Sequence, residues 1–107
     1  MDRKISILGQ EYRIVDDESI LRDNLDGLAA VYDKVIMLRP TEELLDPMTD
    51  TNTKKTYRRE VMRHEIIHSF FRESGHERWQ NDEDLVSWIA IMYPKMNEVF
   101  GELGCSS

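Results

Sequence analysis

The chain has 107 residues, which is room for one domain around one core, and 40% of them are apolar and 33% charged. With 21 acidic against 14 basic side chains the formal net charge is −7, which disfavours a nucleic-acid platform because phosphate is repelled overall. The single cysteine makes no internal disulfide, no apolar run reaches the roughly 18 residues of a membrane span, and the N-terminus lacks the apolar stretch of a signal peptide. A soluble cytoplasmic protein with no nucleic-acid or membrane partner is therefore expected.

In residues 5–15, Ile5, Ile7, Tyr12 and Ile14 alternate with more polar neighbours, and Gly9-Gln10 separates two short runs, which predicts a β-hairpin. Residues 16–27 are rich in Asp and read as a connection with a short helical turn around residues 19–25. Residues 28–39 hold two apolar runs broken at Asp33-Lys34, which predicts a second hairpin whose return strand, residues 35–38, is bounded by Pro40. Residues 40–53 carry Pro40, Pro47 and several acids and read as a loop with one turn near residues 42–45.

From residue 54 to about residue 74 nothing breaks a helix. Met62, Ile66, Ile67 and Phe70 form one apolar stripe, Lys54, Lys55, Arg58, Arg59 and Arg63 read as its solvated side, and Gly75 stops it. Residues 75–82 are a polar turn. A second helix runs from residue 82 to about residue 93 with acids in its first turn, and Pro94 ends it, kinks it or opens a third helix through residue 100.

The informative segment is His64-Glu65-Ile66-Ile67-His68, inside the strongest predicted helix. Histidines at i and i+4 lie about 40° apart round the axis and roughly 6 Å along it, so both imidazoles reach one metal ion. Glu65 lies on the adjoining flank. A zinc ion there acidifies a water and polarises a carbonyl, and the glutamate takes the proton, which is the geometry of metal-assisted hydrolysis.

A catalytic zinc wants a third protein ligand and an open position. Phe71 and Ser74 stand three and six residues after His68, so the same stretch supplies no further histidine, and His76 lies beyond Gly75 at a poor spacing. A site that resembles the gluzincin arrangement takes a glutamate from the following helix, where Glu83 lies 15 residues after His68 and Asp82 and Asp84 compete. Glu83 shares a face with the small or polar Ser87 and Ala90, whereas Asp84 shares one with Trp88 and is already accounted for by the helix dipole. Glu83 is the expected ligand.

Residues His64-Glu65-Ile66-Ile67-His68-Ser69-Phe70 through Gly75, followed by Asp82-Glu83-Asp84-Leu85-Val86-Ser87-Trp88, resemble the small single-domain zincins of bacteria and phages, the minigluzincin-like proteins. The resemblance covers about residues 55–105 closely and residues 5–40 only in hairpin order. It implies a sheet of three or four strands over the active-site helix, and peptide-bond hydrolysis. Gluzincins commonly carry, four residues after the ligand glutamate, an aspartate that supports a zinc-bound histidine. Here that position holds Ser87, which can accept a histidine N–H but carries no charge, a departure that bears on catalytic strength more than on zinc binding.

The expectation is an α+β, zincin-like single domain over residues 1–107, a zinc metallopeptidase with one Zn2+ per chain held by His64, His68 and Glu83, and Glu65 as general base. Its substrate is a peptide or protein, aligned along a cleft edge formed by residues 35–38 and covered by residues 40–53 as a lid. A protein regulator is compatible with this reading, and nothing in the sequence sets an oligomeric state. The alternative is a non-catalytic, zinc-stabilised phage or host adaptor, which has no use for Glu65. Trp79 and Trp88 read as core or rim packing. Tyr57, two turns before His64 on roughly the same face, reads as surface or packing, with reach to the site as the alternative. His76 reads as an exposed turn residue, with stabilisation of the reacting oxyanion as the alternative, and Cys105 as part of an inert tail.

Overall fold

A computed structural model describes residues 2–107 as an α+β fold. Strands β1 (Asp2–Ile7) and β2 (Gln10–Asp16) form the first hairpin. Its turn is Leu8-Gly9, both at positive φ (49° and 84°), the pair of left-handed residues whose twist matches the flanking strands. The turn sits one residue earlier than expected, because Gln10 already pairs with Ile7. A 3-10 turn over Glu18–Asp23 follows, capped by the Asp17 carboxylate, which accepts from the Ser19 N–H, and it buries Ile20.

Strands β3 (Gly27–Ala30) and β4 (Val35–Leu38) are the second hairpin. β4 inserts beside β2 in parallel, so the sheet order is β1-β2-β4-β3. This corrects the expected cleft edge. The run at residues 35–38 is an interior strand with Ile36 and Leu38 fully buried, and the edge is β3. The physical reason is that the more apolar, β-branched run gains most from neighbours on both sides, while Gly-Leu-Ala-Ala loses little at an edge.

One face of the sheet supplies the core. Ile7, Tyr12, Ile14, Ile36 and Leu38 are buried there, with Ile5 and Ala29 beside them, against Val61, Met62 and Ile66 of α1 (Thr51–Glu73). Each large side chain so buried contributes on the order of 1.5–3 kcal/mol. Helix α1 starts before residue 54 because Asp50 is its N-cap, accepting from the Thr53 N–H at 2.7 Å. Its C-terminus is as expected, with Gly75 at φ 80° just beyond Ser74. Phe70 is 43% exposed and leaves the expected stripe, while Ser69 is fully buried and returns its hydroxyl to the Glu65 carbonyl. The sheet-facing stripe is thus rotated by about one residue. Tyr12 Oη donates to Glu73 at 2.6 Å and Lys34 pairs with the same carboxylate, tying the end of α1 to the sheet.

The basic run of α1 is not simply solvated. Lys54 is buried and donates to the Glu42 carbonyl oxygen at 2.9 Å, and Arg58 pairs with Asp16 and donates to Thr41. These contacts, with the fully buried Leu44, pin residues 40–53 across the N-terminal half of α1. The expectation of a lid is corrected accordingly: the segment is anchored, and none of its residues borders the cleft described below.

Within the turn after α1 lies one short helix, α2 (Glu77–Gln80). Helix α3 (Glu83–Glu102) then begins at the Asp82 N-cap and continues through Pro94. A proline at 94 cannot donate to the carbonyl of residue 90. Arg63 Nε takes that place, donating to the Ala90 oxygen at 2.7 Å, so the bond missing from α3 becomes a tie between α3 and α1. Arg63→Met should leave a buried carbonyl without a partner and cost about 1–3 kcal/mol. In a Pro94→Ala background, where the residue-94 N–H reaches the same oxygen, the cost should largely vanish. Equal costs in both backgrounds, measured by urea denaturation, would refute the compensation. No helix among the described residues is long and apolar enough to cross a membrane.

Candidate metal centre

α1 presents His64 and His68 one turn apart, and the first turn of α3 brings Glu83 across from them. His64 Nε2 lies 3.0 Å from Glu83 Oε2, His68 Nε2 lies 2.9 Å from Glu83 Oε1, and the two Nε2 atoms are 3.2 Å apart. The chain reversal that permits this is the Gly75 break followed by α2, whose C-terminal end returns to the site: the Gln80 carbonyl oxygen lies 2.7 Å from His68 Nδ1. A carbonyl only accepts, so His68 Nδ1 carries the proton and Nε2 turns its lone pair to the centre. His64 Nδ1 has a weaker neighbour, Ser87 Oγ, at 3.4 Å. Ser87 therefore stands beside a site histidine, at the position where the resemblance implies a supporting residue.

Lone pairs converging at such distances repel unless a cation lies among them. A tetrahedral zinc with bonds of about 2.0–2.2 Å sets neighbouring donors roughly 3.3–3.6 Å apart, close to the spacings here, and two imidazoles with a carboxylate are a donor set that zinc accepts. His64, His68 and Glu83 form a group that can hold a metal ion. Glu83 is 67% exposed at its side chain, which leaves one side of the centre open to the cleft. The competing acids take no part in this group: Asp82 caps α3, and Asp84 is exposed. His76 stacks on Trp79 at 4.0 Å and takes no part. Trp79 and Trp88 are about half exposed, at the rim rather than in the core.

Glu65 is 6% exposed, and its Oε2 has no hydrogen-bond partner. Burial, and then the neighbouring Glu83 carboxylate, push its carboxyl up to about 7. A buried carboxylate without a donor is costly, so its place beside two histidines asks for a chemical reason. Gly27 of β3 explains how the sheet comes so close to it. A Cβ there would stand 2.7 Å from Val61 Cγ1 and 3.1 Å from Glu65 Cγ. Gly27→Ala should cost about 1–3 kcal/mol through overpacking and lift β3 from Glu65, while metal binding, which depends on the two helices alone, persists. Unchanged stability by chemical denaturation would show that β3 yields without strain.

Between β3, α1 and the start of α3 lies a cleft of about 620 Å3, lined by Asp26, Gly27 and Ala29 on one side, by Tyr57 and Glu60 at one end, and by His64, His68 and Glu83. Arg39 N donates to the Asp26 carbonyl at 2.9 Å, so in the alternating antiparallel ladder Leu28 and Ala30 bond to β4. Gly27 and Ala29 turn their N–H and C=O groups outward along the open edge. Tyr57 follows the alternative of its two readings and lines the cleft: its hydroxyl donates to Asp26, and burial followed by that bond pushes it up to about 12. Its position two turns before His64 is the signal for that reach. Asp26, Gly27 and Glu60 carried no such signal, because their roles arise only when the sheet is laid across α1. No protein family, no curated protein and no solved structure matches this chain.

Proposed function

We propose that the protein is a zinc-dependent metallopeptidase of zincin type, with His64, His68 and Glu83 holding one Zn2+ and Glu65 as general base. The observation that carries this reading is the buried Glu65 carboxylate, one oxygen without a partner, beside three converging donors that can hold a cation. When bound, the zinc supplies Lewis acidity, polarising the scissile carbonyl and lowering the pKa of water. Glu65 accepts the proton of the attacking water and delivers it to the leaving amine. His68, oriented by the Gln80 carbonyl, keeps its Nε2 on the site, and His64 does so with support from Ser87. The outward groups of Gly27 and Ala29 align an extended peptide by main-chain hydrogen bonds, and the cleft has the size for such a segment. The four-stranded sheet lying on the helix of His64 and His68 supports the zincin reading.

The test is metal analysis of protein purified without added zinc, followed by digestion of a peptide library with and without chelator. One zinc per chain and chelator-sensitive cleavage are expected. Zinc without cleavage would favour the adaptor role, and protein that takes up no zinc would overturn both.

A further inference from the structure

Helix α3 ends in a stretch that the other described residues leave largely exposed. Its ties to α1 lie in its first half, where Glu83 and Ser87 meet His64, Arg63 bonds Ala90, and Val86 and Ala90 are buried. Beyond Ala90 no residue of the helix is buried. Yet this half is apolar along one side: Val99 is 50% exposed, Phe100 40% and Leu103 77%, with Met92 and Met96 half-buried beside them. Leu85, Ile89, Met92, Met96, Val99 and Leu103 advance by alternating steps of four and three residues, the spacing of a seam along which two helices pack. At 100° per residue this seam lies about 120° round the axis from the buried Val86–Ala90 side.

We propose that the second half of α3 is the interface of an antiparallel homodimer. A two-fold axis across the seam sets Met96 against Val99 of the partner subunit and Met92 against Leu103 of the partner subunit. The flanks then match. On one side Lys95 faces Glu102 of the partner subunit, and on the other Tyr93 faces Phe100 of the partner subunit, each pair occurring twice by symmetry. Lys95 and Glu102 are exposed and, among the described residues, make no ion pair within the chain. A parallel pairing in register would set Lys95 against Phe100 and leave both charges unmatched. The helix side opposite the seam carries Pro94, Asn97, Glu98 and Gly101, which stay in water. This inference does not depend on the metal or on catalysis.

Sedimentation velocity of the full chain tests it, with reductant present because Cys105 is exposed. A dimer in the micromolar range is expected. Leu103→Glu and Lys95→Glu should each weaken it by about tenfold or more, and both positions are exposed enough for circular dichroism to show an intact fold. The double variant Lys95→Glu/Glu102→Lys restores opposite charges and should return the affinity to within about threefold of the parent. A protein still monomeric at about 100 μM, a dimer indifferent to Leu103→Glu, or a charge swap that fails to restore association would each overturn the proposal.

Discussion

Glu83→Ala is expected to lose zinc, and Asp84→Ala to keep it. Glu83 places both carboxylate oxygens within 3.0 Å of a histidine Nε2, while Asp84 is exposed and is not among the residues that could hold a metal ion. Loss of an indirect support typically weakens a metal by 10–100-fold, so loss of one of three direct ligands should exceed that, reaching about 1,000-fold or more. Because the ligands join α1 to α3, zinc should also stabilise the fold, by about 4 kcal/mol at a thousand times its dissociation constant. That increment should disappear in Glu83→Ala and survive in Asp84→Ala. Ser87→Asp should tighten zinc, since a charged acceptor replaces a hydroxyl 3.4 Å from His64 Nδ1. Competition titrations against a chromophoric chelator measure all three, and metal loss in Asp84→Ala with retention in Glu83→Ala would reverse the assignment.

Glu65→Gln should keep zinc and lower peptide cleavage by about 100- to 10,000-fold, because the amide has the shape of the acid but cannot accept a proton. Equal cleavage by both proteins would remove Glu65 from the mechanism. The same substitution has a second readout in metal-free protein. The folded-state pKa of Glu65, about 7, lies above its ordinary 4.5. The native chain therefore holds this proton more tightly than the unfolded chain, and stability falls as pH rises through that window. The loss should be complete above pH 7 and amount to roughly 3 kcal/mol. An amide at this position has no proton to lose, so Glu65→Gln should be the more stable protein at pH 8 and differ little at pH 4. Zinc, a cation near the carboxylate, should flatten the dependence in the parent. A metal-free parent whose midpoint is flat from pH 5 to pH 8 would contradict the burial of an unpartnered charge at this position.

Features that are local could be read from the residues. The spacing of His64 and His68 fixes their common side of a helix, with Glu65 on the adjoining flank, whatever surrounds it, and Gly75 ends that helix because few other residues adopt its positive φ. Glu83 could be distinguished from Asp84 because residues 100° apart cannot both face the same neighbour. The two hairpins were visible in alternation and turn residues, although the first turn moved by one residue when Leu8 proved able to take φ 49°.

Features that depend on distant pairings could not be read in advance. The strand order is one case: β4 became an interior strand because pairing in parallel with β2 buries Ile36 and Leu38, and periodicity within a strand does not report its neighbours. The cleft edge therefore passed to β3, and Gly27, Asp26 and Tyr57 gained roles that emerge from the packing of β3 on α1. Arg63 is another case. A basic residue on a helix reads as solvated until Pro94, more than 30 residues away, frees the carbonyl to which it donates. The kinds of chemistry available to the chain follow from its residue types at short spacing, which no later folding event alters. Which backbone edge that chemistry faces, and how tightly Glu65 is enclosed, follow from the assembled fold, because contacts between remote segments are set by the sum of packing and not by any one segment's preference.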